Sequence, residues 1–385
     1  MKPKLRFENF NDNWISCTIK DVADVVGGGT PDTSNSEFWN GSINWFTPSE
    51  IGNSKYISNS ERKITELGIQ KSSAKLLPIG TILLSSRATV GEASILVNNQ
   101  ACTNQGFQSL IAHENINNEF LYYLKDKYKK NMLNKAFGST FLEISKSNIE
   151  KIKINIPPVE EQTKISNFLS LLDQKIELQS RKIEDLKLFK KGLNKTIFNN
   201  CYEEYNLKEL INEYNKKSTI NNQFQILSST ANGIFLQNEY FNKQAASQST
   251  IGYKIVPKGY VTYRSMSDTG AFHFNEQNIV DFGIVSPAYP VFKINEDKVD
   301  KLYLLYYMNN NNIFKNVILS TKEGGTRFAL SFNKLLSLNI LLPSLNNQKY
   351  FSSLILNINK KIDIEIKKYN RLNDLKKGLM QNMFV

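Results

Sequence analysis

The sequence predicts an α/β protein of two globular domains joined by two long antiparallel helices that pair as a coiled coil, an internal repeat with pseudo-two-fold symmetry. Three observations predict it: a helical segment present twice, matching residues upstream of both copies, and polar interruptions at equivalent places in two apolar seams. Residues 156–198 align without a gap to residues 342–384, with Lys190-Lys191-Gly192-Leu193 and Lys376-Lys377-Gly378-Leu379 identical. Self-similarity at one fixed spacing is the mark of duplication and changes the whole fold reading. At the same spacing Gly138, Thr140, Ser145 and Ile154 match Gly324, Thr326, Ser331 and Ile340. At a slightly shorter one Pro78, Gly80 and Gly91 match Pro257, Gly259 and Gly270. The chain therefore divides into a first domain (1–155), a spacer helix (156–199), a second domain (200–341) and a second spacer helix (342–385). Each globular part is large enough to bury its own core.

The first spacer helix is expected to begin near Val159, because Pro157-Pro158 suits a chain entering a helix and not one inside it. Its apolar seam runs Ile165, Leu169, Leu172, Ile176, Ile183, Leu186, Leu193 and Ile197, in alternating steps of four and three. The second reads Phe351, Ile355, Ile358, Ile362, Tyr369, Leu372, Leu379 and Met383. Gln179 and Lys190 interrupt the first seam, and Glu365 and Lys376 interrupt the second at equivalent places. A parallel in-register pair would set Lys190 against Lys376 inside the seam, a buried clash of like charges. An antiparallel pair sets Lys190 against Ile358, Lys376 against Leu172, Gln179 against Tyr369 and Glu365 against Ile183. The lysine stems then cover apolar surface while their ammonium groups reach water. From Ile165 to Ile197 such a helix extends about 48 Å, the proportion of a ruler. The plainer alternative is that each helix packs only on its own domain, which leaves the coincident breaks unexplained.

With 41% hydrophobic and 22% charged residues, the chain has the composition of a soluble globular protein, and no apolar run reaches the roughly 20 residues of a membrane span. Its start, MKPKLRFENFNDNW, lacks an apolar signal core, which leads to an expected cytoplasmic location. Cys17, Cys102 and Cys201 lie far apart and fit neither a disulfide framework nor a zinc cluster, so each reads as a small buried residue. The net charge of +12 invites a polyanionic partner, yet more than half of the excess sits on the two helical segments, where mixed charges mark a solvated face. Charge alone leaves nucleic acid and no partner about equally open.

Motifs carry the reading further. The first domain contains GGGTPDTSNSEFWNGSINWFTPSEI at 27–51, LLPIGTILLSSRATVGEASI at 76–95, TNQGF at 103–107 and GSTFLEISKSNIEKIKINIPPVEEQTKI at 138–165. The second contains ILSSTANGIFLQNEYF at 226–241, YKIVPKGYVTYRSM at 253–266 and GIVSPAYPVF at 283–292. In order and in spacing this set resembles the specificity (S) subunit of type I restriction-modification systems, and the resemblance covers essentially the whole chain. The second domain lacks the GGTP segment and has Asn215-Lys216-Lys217-Ser218 in that region, so the two domains are expected to read different sequences.

The resemblance implies a non-catalytic reader whose globular parts are target-recognition domains, each binding one half of a split, asymmetric double-stranded DNA target. It implies two modification subunits that methylate adenine with S-adenosylmethionine, and two restriction subunits that use ATP and Mg to translocate and cut DNA. No cofactor is expected on this chain. The residues agree with that expectation: there is no Gly-rich strand-to-helix cofactor loop and no G-x-x-x-x-G-K-[ST] phosphate loop. Asn155-Ile156-Pro157-Pro158 only echoes a methylation motif at a helix entry. Gly27-Gly28-Gly29 reads as turn chemistry, and His113 and His273 are too far apart in sequence to suggest a metal or triad site. No catalytic or metal-binding residue is assigned.

Reading base edges needs paired hydrogen bonds, chiefly from Arg to guanine and from Asn or Gln to adenine. The first-domain candidates are Ser85, Ser86, Arg87 and Thr89 after the apolar run Ile82-Leu83-Leu84, followed by Asn104 and Gln105. The second-domain candidates are Arg264 and Ser265 at the equivalent site, Tyr289 and Arg327. Each also has a structural explanation: Asn104 or Ser86 can close a turn, Arg87 can pair with a carboxylate, and Tyr289 can be core. Trp39, Trp45, Phe46, Tyr122, Tyr123, Tyr306 and Tyr307 suit core packing better than base stacking. Two rivals stand beside the DNA reader. One is a coiled-coil scaffold or adaptor with protein-binding ends, and the other is a self-sufficient methyltransferase or nuclease.

Overall fold

The computed structural model describes residues 1–97, 101–136, 142–199, 203–240, 249–320 and 328–385. They form two compact units: Met1–Ser180 with Lys367–Val385, and Arg181–Ile366. Arg327, Cys201, Gly138, Thr140, Gly324 and Thr326 lie outside the described residues.

In the first unit a five-stranded sheet takes the order Ala23–Gly27, Gln108–Ala112, Ile82–Leu84, Ala93–Leu96, Tyr56–Ile57. Its central strand, Ile82–Leu84, is wholly buried, as an apolar run covered on both faces must be. A three-stranded sheet takes the order Arg62–Ile64, Trp39–Phe46, Ala101–Thr103, and Ile15–Thr18 pairs with Lys153–Ile156 at the helix entry. The second unit has two four-stranded sheets, one running Ile211–Glu213, Val291–Ile294, Val261–Thr262, Asn275–Glu276. Glu203–Asn206 pairs there with Asn339–Leu342, the counterpart of the first unit's two-stranded ladder at the helix entry.

The repeat persists at the level of single bonds. Ser145 and Ser331 each cap a short helix by accepting from the backbone N–H three residues on. Gln162 donates to Pro157 O and accepts from Asn117 N, and Gln348 donates to Pro343 O and accepts from Asp300 N. Both amides are buried, and each locks the helix entry to the N-cap of a helix in the globular part. Gly80 and Gly259 share φ values of 85° and 83°, and Gly91 and Gly270 share 86° and 81°. These matched pairs occupy the left-handed region that favours glycine.

The long helices are Val159–Asn199 and Leu345–Met383. In the first unit Ile165 and Leu169 share a core with Leu379 and Met383, and Asp173 meets Lys376, so the segments run antiparallel. In the second unit Leu193 and Ile197 share a core with Ile355 and Phe351 while Lys182 meets Glu365, again antiparallel. Ile165, Leu169, Leu172, Ile183, Ile197, Ile355, Ile358, Ile362 and Met383 are buried. Ile176, Leu186, Leu193, Phe351, Tyr369, Leu372 and Leu379 are half-buried.

The polar interruptions behave differently from expectation. Lys376 does not merely extend toward water: Nζ lies 2.5 Å from Asp173 Oδ1 and 5.9 Å from the Tyr123 ring centre. Glu365, 4% exposed, is held by Lys182 Nζ at 3.0 Å. A buried carboxylate needs such a partner, and an aliphatic neighbour cannot supply one. The Lys190 ammonium sits 5.9 Å from the Tyr306 ring centre.

Among the described residues no helix is long and apolar enough to cross a membrane, and no cluster of His, Cys, Asp and Glu suits a metal. Cys102 is buried as expected, whereas Cys17 is half-buried.

Candidate nucleic-acid interface

In the first unit the strand Ile82–Leu84 leaves the core and turns back into Ala93–Leu96 through a tight loop. Ser85 N donates to Glu92 O, Gly91 N to Ser85 O and Thr89 N to Arg87 O. Ala88 at φ 62° and Gly91 at φ 86° reverse the backbone. A Cβ on Gly91 would come within 2.5 Å of Lys129 Cγ, so the loop lies hard against the helix carrying that lysine.

Ser85 and Ser86 shape this loop from inside. Both are buried; Ser85 Oγ donates to Arg87 O and also bonds Thr89 Oγ1, while Ser86 Oγ donates to Gly106 O. Their hydroxyls are thus engaged within the protein, unlike the base-facing role considered from sequence. Arg87 and Thr89 are exposed. Arg87 donates Nε and Nη2 to Glu143 Oε2 at 3.0 and 2.7 Å, the carboxylate pairing foreseen as its alternative.

A second turn borders the loop. Ser86 N donates to Gly106 O, and Asn104 Oδ1 accepts from Gly106 N at 2.8 Å, so Asn104 does close a turn. Gln105 is exposed at its tip, its side-chain oxygen accepting from Thr30 Oγ1. The glycine run before Thr30 is not turn chemistry: Gly27 ends a strand, and none of the three glycines has positive φ. Gly28 is required because its backbone passes against the carbonyls of Thr103 and Asn104, where a Cβ has no room. Arg87, Thr89, Gln105 and Thr30 are therefore the polar groups this frame presents outward.

The second unit rebuilds the frame. Ser265 N and Oγ both donate to Ala288 O, as Ser86 N and Oγ both donate to Gly106 O. Ser265 O accepts from Leu330 N, as Ser86 O accepts from Ile144 N. This register aligns Ser265 with Ser86, Arg264 with Ser85 and Met266 with Arg87, so the arginine precedes the position that Arg87 fills.

Arg264 is exposed and lines a cleft of about 250 Å³ with Ser229, Thr230, Met266, Asp268 and His273. Burial lowers the His273 pKa from its ordinary value, and Lys315 lowers it further. Tyr289 is half-buried against an apolar cluster; burial raises its phenol pKa, and nearby Arg264 partly offsets the rise. Arg264, Ser265 and Tyr289 are thus brought together.

The aromatic residues pack as core. Trp39 and Trp45 meet edge to face at 5.1 Å, with Arg62 over the former, and Tyr122, Tyr123 and Tyr307 are buried. Sequence reasoning missed Glu143 and Thr30, which touch candidate residues, and Met266 within its own motif. The repeat could have pointed to Met266, which matches Arg87 at the spacing that relates Gly80 to Gly259, whereas no sequence pattern pointed to Glu143 or Thr30.

A family profile describing the type I restriction modification DNA specificity domain matches residues 11–188 and again 199–374. This chain belongs to that family. The type I restriction enzyme MjaIX specificity subunit of Methanocaldococcus jannaschii is 40% identical over 182 residues, 46% of this chain and 41% of that protein. The EcoR124I/EcoR124II specificity subunit of Escherichia coli is 32% identical over 162 residues, 40% of each. These two matches span only about two-fifths of the relatives' own length. A putative MjaX specificity subunit of M. jannaschii aligns over 96% of this chain and 92% of its own length at 25% identity. Among solved structures, the type I S subunit of M. genitalium superposes with a TM-score of 0.59 at 16% identity, covering 100% of this chain and 99% of that one. The HsdS subunit of Thermoanaerobacter tengcongensis gives 0.53 at 15% identity, covering 97% of both. At such identities these likenesses show the fold. Membership of a DNA-specificity family does not favour the scaffold alternative.

Proposed function

We propose that this chain binds a bipartite, asymmetric double-stranded DNA target, one half-site per unit, and directs partner subunits to it. The carrying observation is the twice-built loop frame, in which Ser86 and Ser265 make the same three bonds while the exposed residues beside them differ: Arg87, Thr89 and Gln105 in one unit, Arg264 and Met266 in the other. A repeated frame with divergent exposed groups suits two readers of different sequences, since base identity is read by side chains at groove edges. In this reading the chain is non-catalytic and acts in the cytoplasm. Adenine methylation comes from two modification subunits carrying S-adenosylmethionine, and restriction from two further subunits using ATP and Mg. Phe168, Leu171 and Leu178, exposed on the first long helix, offer apolar surface for such a partner.

The experiment is to map methylated adenines across the genome in cells with and without this gene. A split motif that disappears with the gene supports the proposal, and an unchanged map counts against it. In vitro, retention of duplex by the full chain should be sequence-selective and fall steeply with salt. Methylation or cleavage by the purified chain alone would favour the self-sufficient enzyme instead.

A further inference from the structure

We propose that Arg87–Glu143 in the first unit and Met266–Ala329 in the second occupy one specificity-determining position, filled differently so that the two half-sites differ there. The inference rests on the DNA-reading function above and names the residues that set it. Arg87 and Glu143 face each other in an isolated antiparallel bridge, and Met266 and Ala329 are partners in the short antiparallel ladder Met266–Ser267 with Phe328–Ala329. The residue before each, Ser86 or Ser265, makes the same three bonds: its N and Oγ donate to a neighbouring carbonyl, and its O accepts from the residue after Glu143 or Ala329. The backbone thus delivers both side chains from one frame, and both are exposed.

What the frame delivers is chemically opposite. The Arg87 fork carries five N–H donors, and Glu143 engages the Nε and Nη2 side. The remaining donors suit the O6 and N7 acceptors of a guanine, and Glu143 acts as a positioning residue that fixes the plane of the fork. Met266 offers only a thioether and methyl, which suit an apolar base edge such as the thymine methyl. Ala329 removes the positioning carboxylate as well, so the change is a matched pair. Arginine chemistry in the second unit comes instead from Arg264, inside the cleft that Met266 borders.

The test uses the full chain with a pool of random duplexes, sequencing those retained. Arg87→Met with Glu143→Ala should abolish preference at one base pair of one half-site, by roughly 5- to 150-fold, and leave the other half-site intact. Met266→Arg with Ala329→Glu should change one base pair of the opposite half-site. Arg87→Lys keeps the charge but loses the fork; it should relax the same base pair without altering the salt slope, and it guards against misfolding of the double variant. Variants that bind with every base preference unchanged overturn the proposal while leaving the DNA-reading function standing. A wild-type chain that retains no duplex selectively overturns both.

Discussion

Replacing Arg6 should markedly destabilise the first unit. Arg6 donates Nε and Nη2 to the two carboxylate oxygens of Glu161, both at 2.7 Å, and Trp14 Nε1 reaches one of them at 3.4 Å. The Glu161 side chain is fully buried and that of Arg6 only 11% exposed, so solvent screens the pair little. Arg6→Met leaves a buried carboxylate without its counter-charge, a loss of about 3–5 kcal/mol. Spread over a guanidinium chloride slope of about 2–6 kcal/mol/M, that lowers the unfolding midpoint by on the order of 1 M. Tryptophan emission is the assay, because Trp14, Trp39 and Trp45 all lie in this unit and report it alone. Arg6→Met combined with Glu161→Leu should recover most of the loss, since an apolar pair of similar size removes the stranded charge. An unchanged midpoint for Arg6→Met, or a double variant as weak as the single, would refute the reasoning.

Gly270→Ala should destabilise the second unit more than Gly252→Ala. Both have positive φ, worth about 1–2 kcal/mol, but only at Gly270 would the new methyl strike a neighbour, Leu319; urea unfolding of the two variants checks the order. Burial pushes the Cys102 thiol up to about 12 and the Cys17 thiol up to about 11, so little thiolate exists at pH 8. In a Cys201→Ser background Ellman's reagent should therefore react slowly with native protein and promptly after denaturation, and immediate stoichiometric labelling would contradict the packing. Leu171→Glu with Leu178→Glu, at positions 64% and 65% exposed, should cost little stability yet prevent co-purification with a modification subunit. Retained co-purification would direct attention to another face.

The duplication, the two helices and their antiparallel sense were legible in the sequence because they are periodic: a seam and its interruptions can be paired on paper. Side-chain partners one residue off the seam were not. Asp173 lies beside Leu172, and nothing in a pattern of apolar steps shows that it would take the Lys376 ammonium. The candidate loops could be delimited as segments from the sequence, but orientation within them was hidden. Ser85 and Ser86 look as polar and available as Arg87 until the carbonyl of Gly106 and the turn at Thr89 are seen to occupy them. The glycine run misled for a similar reason, since a close approach to Thr103 and Asn104 depends on strands far apart in sequence. Glu161 gave no warning either, because acidic residues in a helix's first turn are ordinary on dipole grounds.

That the first unit includes Lys367–Val385 has a consequence for biosynthesis. During translation Met1–Ser180 emerges first, yet Leu5 N awaits the carbonyl of Asn382, and Trp14 and Phe120 await the ring of Phe384. The later-made unit, Arg181–Ile366, is contiguous and can mature while the ribosome is still working. Order of synthesis and order of completion are thus inverted, and a nonsense codon ahead of Lys367 would damage the domain that was made first.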